Sequence, residues 1–139
     1  MSYILDTNVI SELVRQKPNQ KVVQWVEELD ERQAYLSVIT IGEISKGIER
    51  LTASQRRAAL MDWLQAYLLP RFRDRILNID IEVMFAWGRM NADLERKGKT
   101  MSAIDLMIAA TALQTGFTIV TRNEKDFENA GVYTFNPWI

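Results

Sequence analysis

Three carboxylates occupy positions from which chemistry could be done. Asp6 ends the apolar run Tyr3-Ile4-Leu5, Glu43 lies in TIGEISKGIERL, and Asp105 lies in the first turn of SAIDLMIAATALQTG. Carboxylates can transfer protons or hold a hard cation through oxygen. The rest of the composition narrows the choice. The 139 residues include no histidine and no cysteine. That excludes a disulfide framework, a thiol nucleophile, a Cys/His zinc site and a Ser-His-Asp triad. Any catalysis falls to carboxylates, hydroxyls, Lys, Arg, amides or an oxygen-bound metal. Carboxylates gathered without a cation repel one another, and their pKa values rise. Mg²⁺ prefers oxygen ligands and keeps several waters, so it would remove that conflict.

Each carboxylate also has a purely structural reading. Asp6 can cap the helix that follows it. Thr40-Ile41-Gly42-Glu43 fits a T-x-x-E capping box, and Ser102-Ala103-Ile104-Asp105 fits the related S-x-x-D pattern. Taken singly, capping is the commoner use of such residues. Taken together, all three lie at strand-to-helix junctions or helix starts, which a parallel sheet can gather at one edge. Asp105 also heads the apolar stretch LMIAATAL, so its helix is expected to pack deeply and to draw its acidic head partly out of water.

The elements that position these residues follow from periodicity. Strands are expected at YIL, AYLSV, RILNI, FTIVT and VYTF. Helices are expected at TNVISELV, at NQKVVQWVEEL with Val22, Val23, Val26 and Leu29 at helical spacing, and at TIGEISKGIERL with Ile41, Ile44, Ile48 and Leu51 on one face. A longer helix, SQRRAALMDWLQAYLLP, is expected to stop at Pro70. Two more end at Gly98 and Gly116. Strands separated by helices imply a parallel sheet covered on both faces. Such sheets bind ligands at the carboxyl ends of their strands. Length and the absence of repeats or linkers predict one domain, residues 1–139. Apolar content is 47% and charged content 25%, ordinary for a globular chain. No apolar run reaches the roughly 20 residues of a membrane span. No leader is visible, so the cytoplasm is the expected location.

LDTNVISEL, SVITIGEISKGIERL, SAIDLMIAATAL and IVTRNEKDF, in that order, resemble the PIN-domain ribonucleases. The resemblance is strongest to the VapC toxins of bacterial toxin–antitoxin pairs, and LDTNVISE with the closing FNPWI is similar to their FitB-like branch. It spans essentially the whole chain. It implies a three-layer α/β/α sandwich around a parallel sheet of four to five strands. It also implies an endoribonuclease that hydrolyses RNA phosphodiesters with a water activated by Mg²⁺ or Mn²⁺. The family's acidic positions match Asp6, Glu43 and Asp105. Asp6 and Asp105 are the expected metal ligands, with Glu43 binding through water or orienting the nucleophile. Asn8 and Thr121 match supporting polar positions. The fourth acidic position of many members matches Asn123 here, and Asp126 lies one turn further on. The second metal that a fourth carboxylate would help to hold is thereby put in doubt.

The net charge of −1 and a pI near 5.5 exclude binding nucleic acid by bulk charge alone. RNA then needs local cations. Lys46 and Arg50 follow Glu43 on nearly one helical face, and Arg122 adjoins the fourth motif. Lys97 and Lys99 flank the turn before the Asp105 helix and fit a solvated surface equally well. The expected partners are a DNA-binding, VapB-like antitoxin, the RNA substrate and a second copy of the chain, with a larger assembly possible once antitoxin is bound. The competing function is a PIN-fold binding module with little or no catalysis, acting through its DNA-binding partner. Phosphoaspartyl proteins are a poorer match, because Asn8 stands where one class needs Asp and Thr121-Arg122 where another needs Lys.

Overall fold

Strands that are apolar on both faces place a sheet at the centre of the molecule. Ile4 and Ile119 bury their side chains on one face, while Leu5 and Val120, the next residues along, bury theirs on the other. The computed structural model describes all 139 residues. Its strands are β1 (Tyr3–Leu5), β2 (Ala34–Ser37), β3 (Ile76–Leu77), β4 (Thr118–Val120) and β5 (Thr134–Phe135). They form a single parallel sheet in the order β3-β2-β1-β4-β5. Five strands therefore form, the upper end of the expected number.

The helices are α1 (Thr7–Leu13), α2 (Gln20–Glu28), α3 (Val38–Glu49), α4 (Gln55–Asp62), α5 (Leu69–Arg71), α6 (Ile81–Arg96) and α7 (Ala103–Thr115). On one face of the sheet, Val83, Ala86, Met90 and Leu94 of α6 pack with Leu106, Ile108 and Ala109 of α7. On the other, Val9, Ile10, Val22, Ile44 and Leu68 close over Leu5, Leu36 and Val120. This is the expected three-layer sandwich. The strongly apolar α7 is buried along most of its length, as its sequence requires. Gly98 and Gly116 end α6 and α7 with φ of 66° and 77°, a left-handed conformation that glycine adopts without the clash of a Cβ. No helix is long and apolar enough to cross a membrane.

Three local expectations need correction. α3 starts at Val38, with Ser37 as its cap accepting from the Ile39 amide at 3.1 Å. Thr40 and Glu43 therefore lie inside the helix, and the T-x-x-E capping box does not form. The long helix does not stop at Pro70. It passes through a π-helical stretch, Trp63–Leu68, into α5 and ends at Arg71, one residue past Pro70, which sits at the π-to-α change in the ladder. Finally, Leu51 lies beyond α3 and is exposed. The helical spacing in α2 holds: Val22 is buried, Val26 and Leu29 pack beside it against the core, and with Val23 they also line a groove on the surface.

Candidate active site

The sheet order sets the location. From β1 the chain builds outward to β2 and β3, then crosses back to place β4 and β5 on the other side. Crossing connections of this kind leave a crevice at the carboxyl ends of the strands where the direction reverses, here β1 and β4. The register pairs Leu5 with Val120. The next residues on those strands are Asp6 and Thr121, and they meet.

Asp6 is 7% exposed. It caps α1, with Oδ1 accepting from the Thr7 amide at 2.9 Å. Its other oxygen accepts from the Thr121 hydroxyl at 2.8 Å and from the Asn8 amide at 3.3 Å. Burial pushes the Asp6 carboxyl above its ordinary pKa. The Thr121 hydroxyl and the Thr7 amide pull it back, while the charges of Glu43 and Asp105 push it further up.

Thr121, wholly buried, is a junction. Its oxygen also accepts from Asn8 Nδ2 at 3.2 Å and from the Asn123 amide at 3.1 Å. Asn8 completes the frame by accepting from the Arg122 amide at 3.2 Å. Asn8 and Thr121, the two supporting polar positions of the resemblance, thus both hydrogen-bond Asp6.

Asp105 is the third residue of α7. The Ser102 hydroxyl caps that helix by accepting from the Asp105 amide at 3.1 Å, so this half of the S-x-x-D pattern forms. Burial raises the Asp105 pKa, the Ser102 hydroxyl lowers it, and the charges of Asp126 and Glu43 raise it again. Glu43, half-buried on α3, accepts at Oε1 from the Thr7 hydroxyl at 2.6 Å. The sequence reading passed over Thr7, although it stands between Asp6 and Asn8. Thr40, read there as a cap, instead lies wholly buried with its hydroxyl 3.3 Å from that of Thr7. Glu12 was also missed. It is buried, accepts from the Asn19 amide at 2.8 Å and pairs with Arg15, so it fixes the turn from α1 to α2.

The carboxylates influence one another, yet no ion pair reaches Asp6, Glu43, Asp105 or Asp126. As the side chains stand, no group of three or more acidic residues is gathered closely enough to hold a metal ion. An open set of unpaired, like-charged oxygen donors fits a hard divalent ion that retains water. It does not fit a soft or tightly caged metal. Asn123 starts the 3₁₀ turn Glu124–Phe127, with its side chain making no cap bond, and exposed Asp126 lies within that turn.

Of the basic residues, Lys46 and Arg50 are exposed, form no ion pair, and line with Glu43 a hollow of about 480 Å³ floored by Gly42, Gly47 and Ile104. Arg122 is exposed, its guanidinium 5.6 Å from the centre of the Trp138 ring. Lys97 pairs with Asp93 one turn back at 2.9 Å, the ordinary use of a surface lysine.

The fold and this acidic edge define a family. The PIN domain model matches residues 3–132, and the chain belongs to the PIN domain family. Within it, the chain is 39% identical over 135 residues to Toxin FitB of Neisseria gonorrhoeae, covering 97% of each chain. It is 36% identical over 135 residues to VapC ribonuclease Y4jK of Sinorhizobium fredii, covering 97% of this chain and 96% of that one. The solved structure of FitAB bound to the IR36 DNA fragment superposes with a TM-score of 0.93 at 38% identity, covering 99% of this chain and 96% of that one.

Proposed function

We propose that this chain is a divalent-metal-dependent endoribonuclease and the toxin of a toxin–antitoxin pair. The observation that carries the reading is the group Asp6, Glu43 and Asp105 at the carboxyl edge of the sheet, none of them in an ion pair, with the Glu43 charge acting on both aspartates. The relatives named as a toxin and as a ribonuclease support the same activity.

Asp6 and Asp105 would hold Mg²⁺ or Mn²⁺, with Glu43 engaged through water. A bound ion of this kind acidifies water and offsets charge at a phosphodiester. The chain's own residues do the rest. Thr121 and Asn8 hold the Asp6 carboxylate in one orientation, and the Thr121 hydroxyl with the Thr7 amide offsets part of the upward pull of burial on its pKa. Lys46, Arg50 and Arg122 offer cations to the flanking phosphates of a single strand. Without histidine there is no acid/base pair of the kind that drives attack by the ribose 2′-hydroxyl. Hydrolysis by water would leave a 5′-phosphate and a 3′-hydroxyl.

The partner reading rests on a groove of about 460 Å³ between α1, α2 and the α4–α5 helix. It is lined mostly by apolar side chains, including Leu13, Val26, Trp63 and Tyr67, with Glu27 and Arg71 at its rim. Such a groove accepts an apolar peptide segment or helix, and we assign it to the antitoxin. For the expected homodimer we assign α6, where Ile81 and Phe85 remain 70% and 60% exposed.

The test is cleavage of single-stranded RNA by antitoxin-free protein. Activity is expected with Mg²⁺ or Mn²⁺ and none in excess EDTA. Undiminished cleavage in EDTA overturns the metal reading. The second reading, a binding module without catalysis, draws on Asn123 in place of a carboxylate, and absence of cleavage with either metal would favour it.

A further inference from the structure

Glu43 lacks the helix-start position that the two aspartates share. Asp6 and Asp105 sit at helix starts, whereas Glu43 lies more than a turn inside α3. A half-buried glutamate there, left unbonded, would sample several rotamers. Its single hydrogen bond, from Thr7 Oγ1 to Oε1 at 2.6 Å, is short and charge-assisted, and its Oε2 has no protein partner. Thr7 also gives its backbone N–H to Asp6. One residue therefore donates to two of the three carboxylates, on two different elements.

A hydroxyl has one proton to give. With that proton on Glu43, the Thr7 oxygen is free to accept, and the buried Thr40 hydroxyl stands 3.3 Å away. Thr40 is one helical turn before Glu43, and its hydroxyl has no other hydrogen-bond partner. We propose that Thr7, backed by Thr40, is a positioning residue for Glu43. The Thr40-to-Thr7-to-Glu43 chain holds Oε1 for the protein and reserves Oε2 for the divalent ion's water shell. The inference rests on the reading of Glu43 as a site carboxylate.

Four full-length variants test it: Thr7→Val, Thr7→Ser, Glu43→Ala and the Thr7→Val/Glu43→Ala double. Two quantities are measured on each, RNA cleavage with kcat and KM separated, and calorimetric affinity for Mn²⁺ alone. Thr7→Val is expected to lower kcat by roughly ten- to a hundredfold, the worth of a hydrogen bond to a charged group, with KM little changed. Mn²⁺ affinity should fall by roughly three- to tenfold. Thr7→Ser, which keeps the hydroxyl, should restore most of both. In the Glu43→Ala background Thr7→Val should add less than about twofold, because its only route is gone. If Thr7→Val is too unstable to assay, Thr7→Ala takes its place. Additive losses in the double variant, or a serine variant as poor as valine, overturn the proposal. If the parent cleaves no RNA, the nuclease reading fails on its own, and the Mn²⁺ affinities still decide this one. Equal affinity in the parent and Thr7→Val overturns it.

Discussion

Replacing Thr121 with valine removes one oxygen and keeps the shape. The β-branch and nearly all of the volume remain, so packing at the end of β4 is preserved. The hydroxyl's bond to the ionised Asp6 carboxylate is lost, at about 1.5–3 kcal/mol for a bond to a charged group. Asn8 loses one of the two acceptors of its amide, at about 1 kcal/mol in a half-buried position. The Asn123 amide borders water and should rehydrate at little cost. The expected destabilisation is about 2–4 kcal/mol, or roughly 6–12 °C in Tm for a chain of this size. Urea denaturation in EDTA measures it. The cost also depends on pH with a definite sign. Burial already raises the Asp6 pKa, and the Thr121 bond is the largest influence holding it down. The variant's folded pKa must therefore lie higher still. Its deficit should be full above both folded values and should shrink as pH falls through them, because the protonated carboxyl no longer needs a charge-assisted donor. A loss below about 1 kcal/mol, or a deficit that grows on acidification, would refute this account of Asp6.

Asp6→Asn and Asp105→Asn should each relieve growth arrest and lower RNA cleavage by more than about a hundredfold, while melting in EDTA stays level or rises, because burial and like charge oppose both ionised carboxyls. A folded variant that stays toxic would remove that residue from the site. Mg²⁺ binding should release protons and weaken as pH falls into the raised titration range of Asp6 and Asp105. Calorimetry in two buffers of different ionisation enthalpy measures both effects, and an affinity constant from pH 7 to pH 4 would refute them. Phe85→Glu should turn a dimer into a monomer by light scattering without loss of fold, since the ring is 60% exposed in the isolated chain. An unchanged mass would move the dimer contact off α6.

The sequence carried the succession of strands and helices because each buried stretch has its own pattern: short unbroken apolar runs at Ile4/Leu5 and Ile119/Val120, and a repeat of four at Ile44/Ile48. It carried Asp6, Asn8 and Thr121 as a group through the family resemblance. It did not carry strand order, which depends on contacts between residues more than a hundred positions apart, such as Tyr3 with Thr118. The start of α3 was misread for a local reason. Val38 and Ile39 are β-branched and extend the strand signal, yet Ser37 ends the strand and caps the helix in one step. Pro70 misled because the π-helical stretch ahead of it shifts the hydrogen-bond ladder, a change no propensity scale includes. Thr7 was invisible because its partner lies 36 residues away, on another helix.

Capping and chemistry, set against each other for Asp6 and Asp105, use different atoms. The cap of α1 occupies one lone pair of Asp6 Oδ1, and the hydrogen bonds from Thr121 and Asn8 fall on Oδ2. A carboxylate has about four acceptor sites, so capacity for a cation remains. Asp105 goes further, since its helix is capped by Ser102 and its own carboxylate carries no part of that work. The partial positive charge of a helix start also favours an anion there, offsetting part of the burial cost that pushes both pKa values up. A strand-to-helix junction thus offsets part of the cost of burying a carboxylate that has no basic partner, leaving its charge free for a divalent ion. Glu43, too far into α3 for that help, depends on a hydroxyl from the neighbouring junction instead. The first strand ends in a carboxylate because the junction that follows can support one unpaired charge directly and, through Thr7, a second.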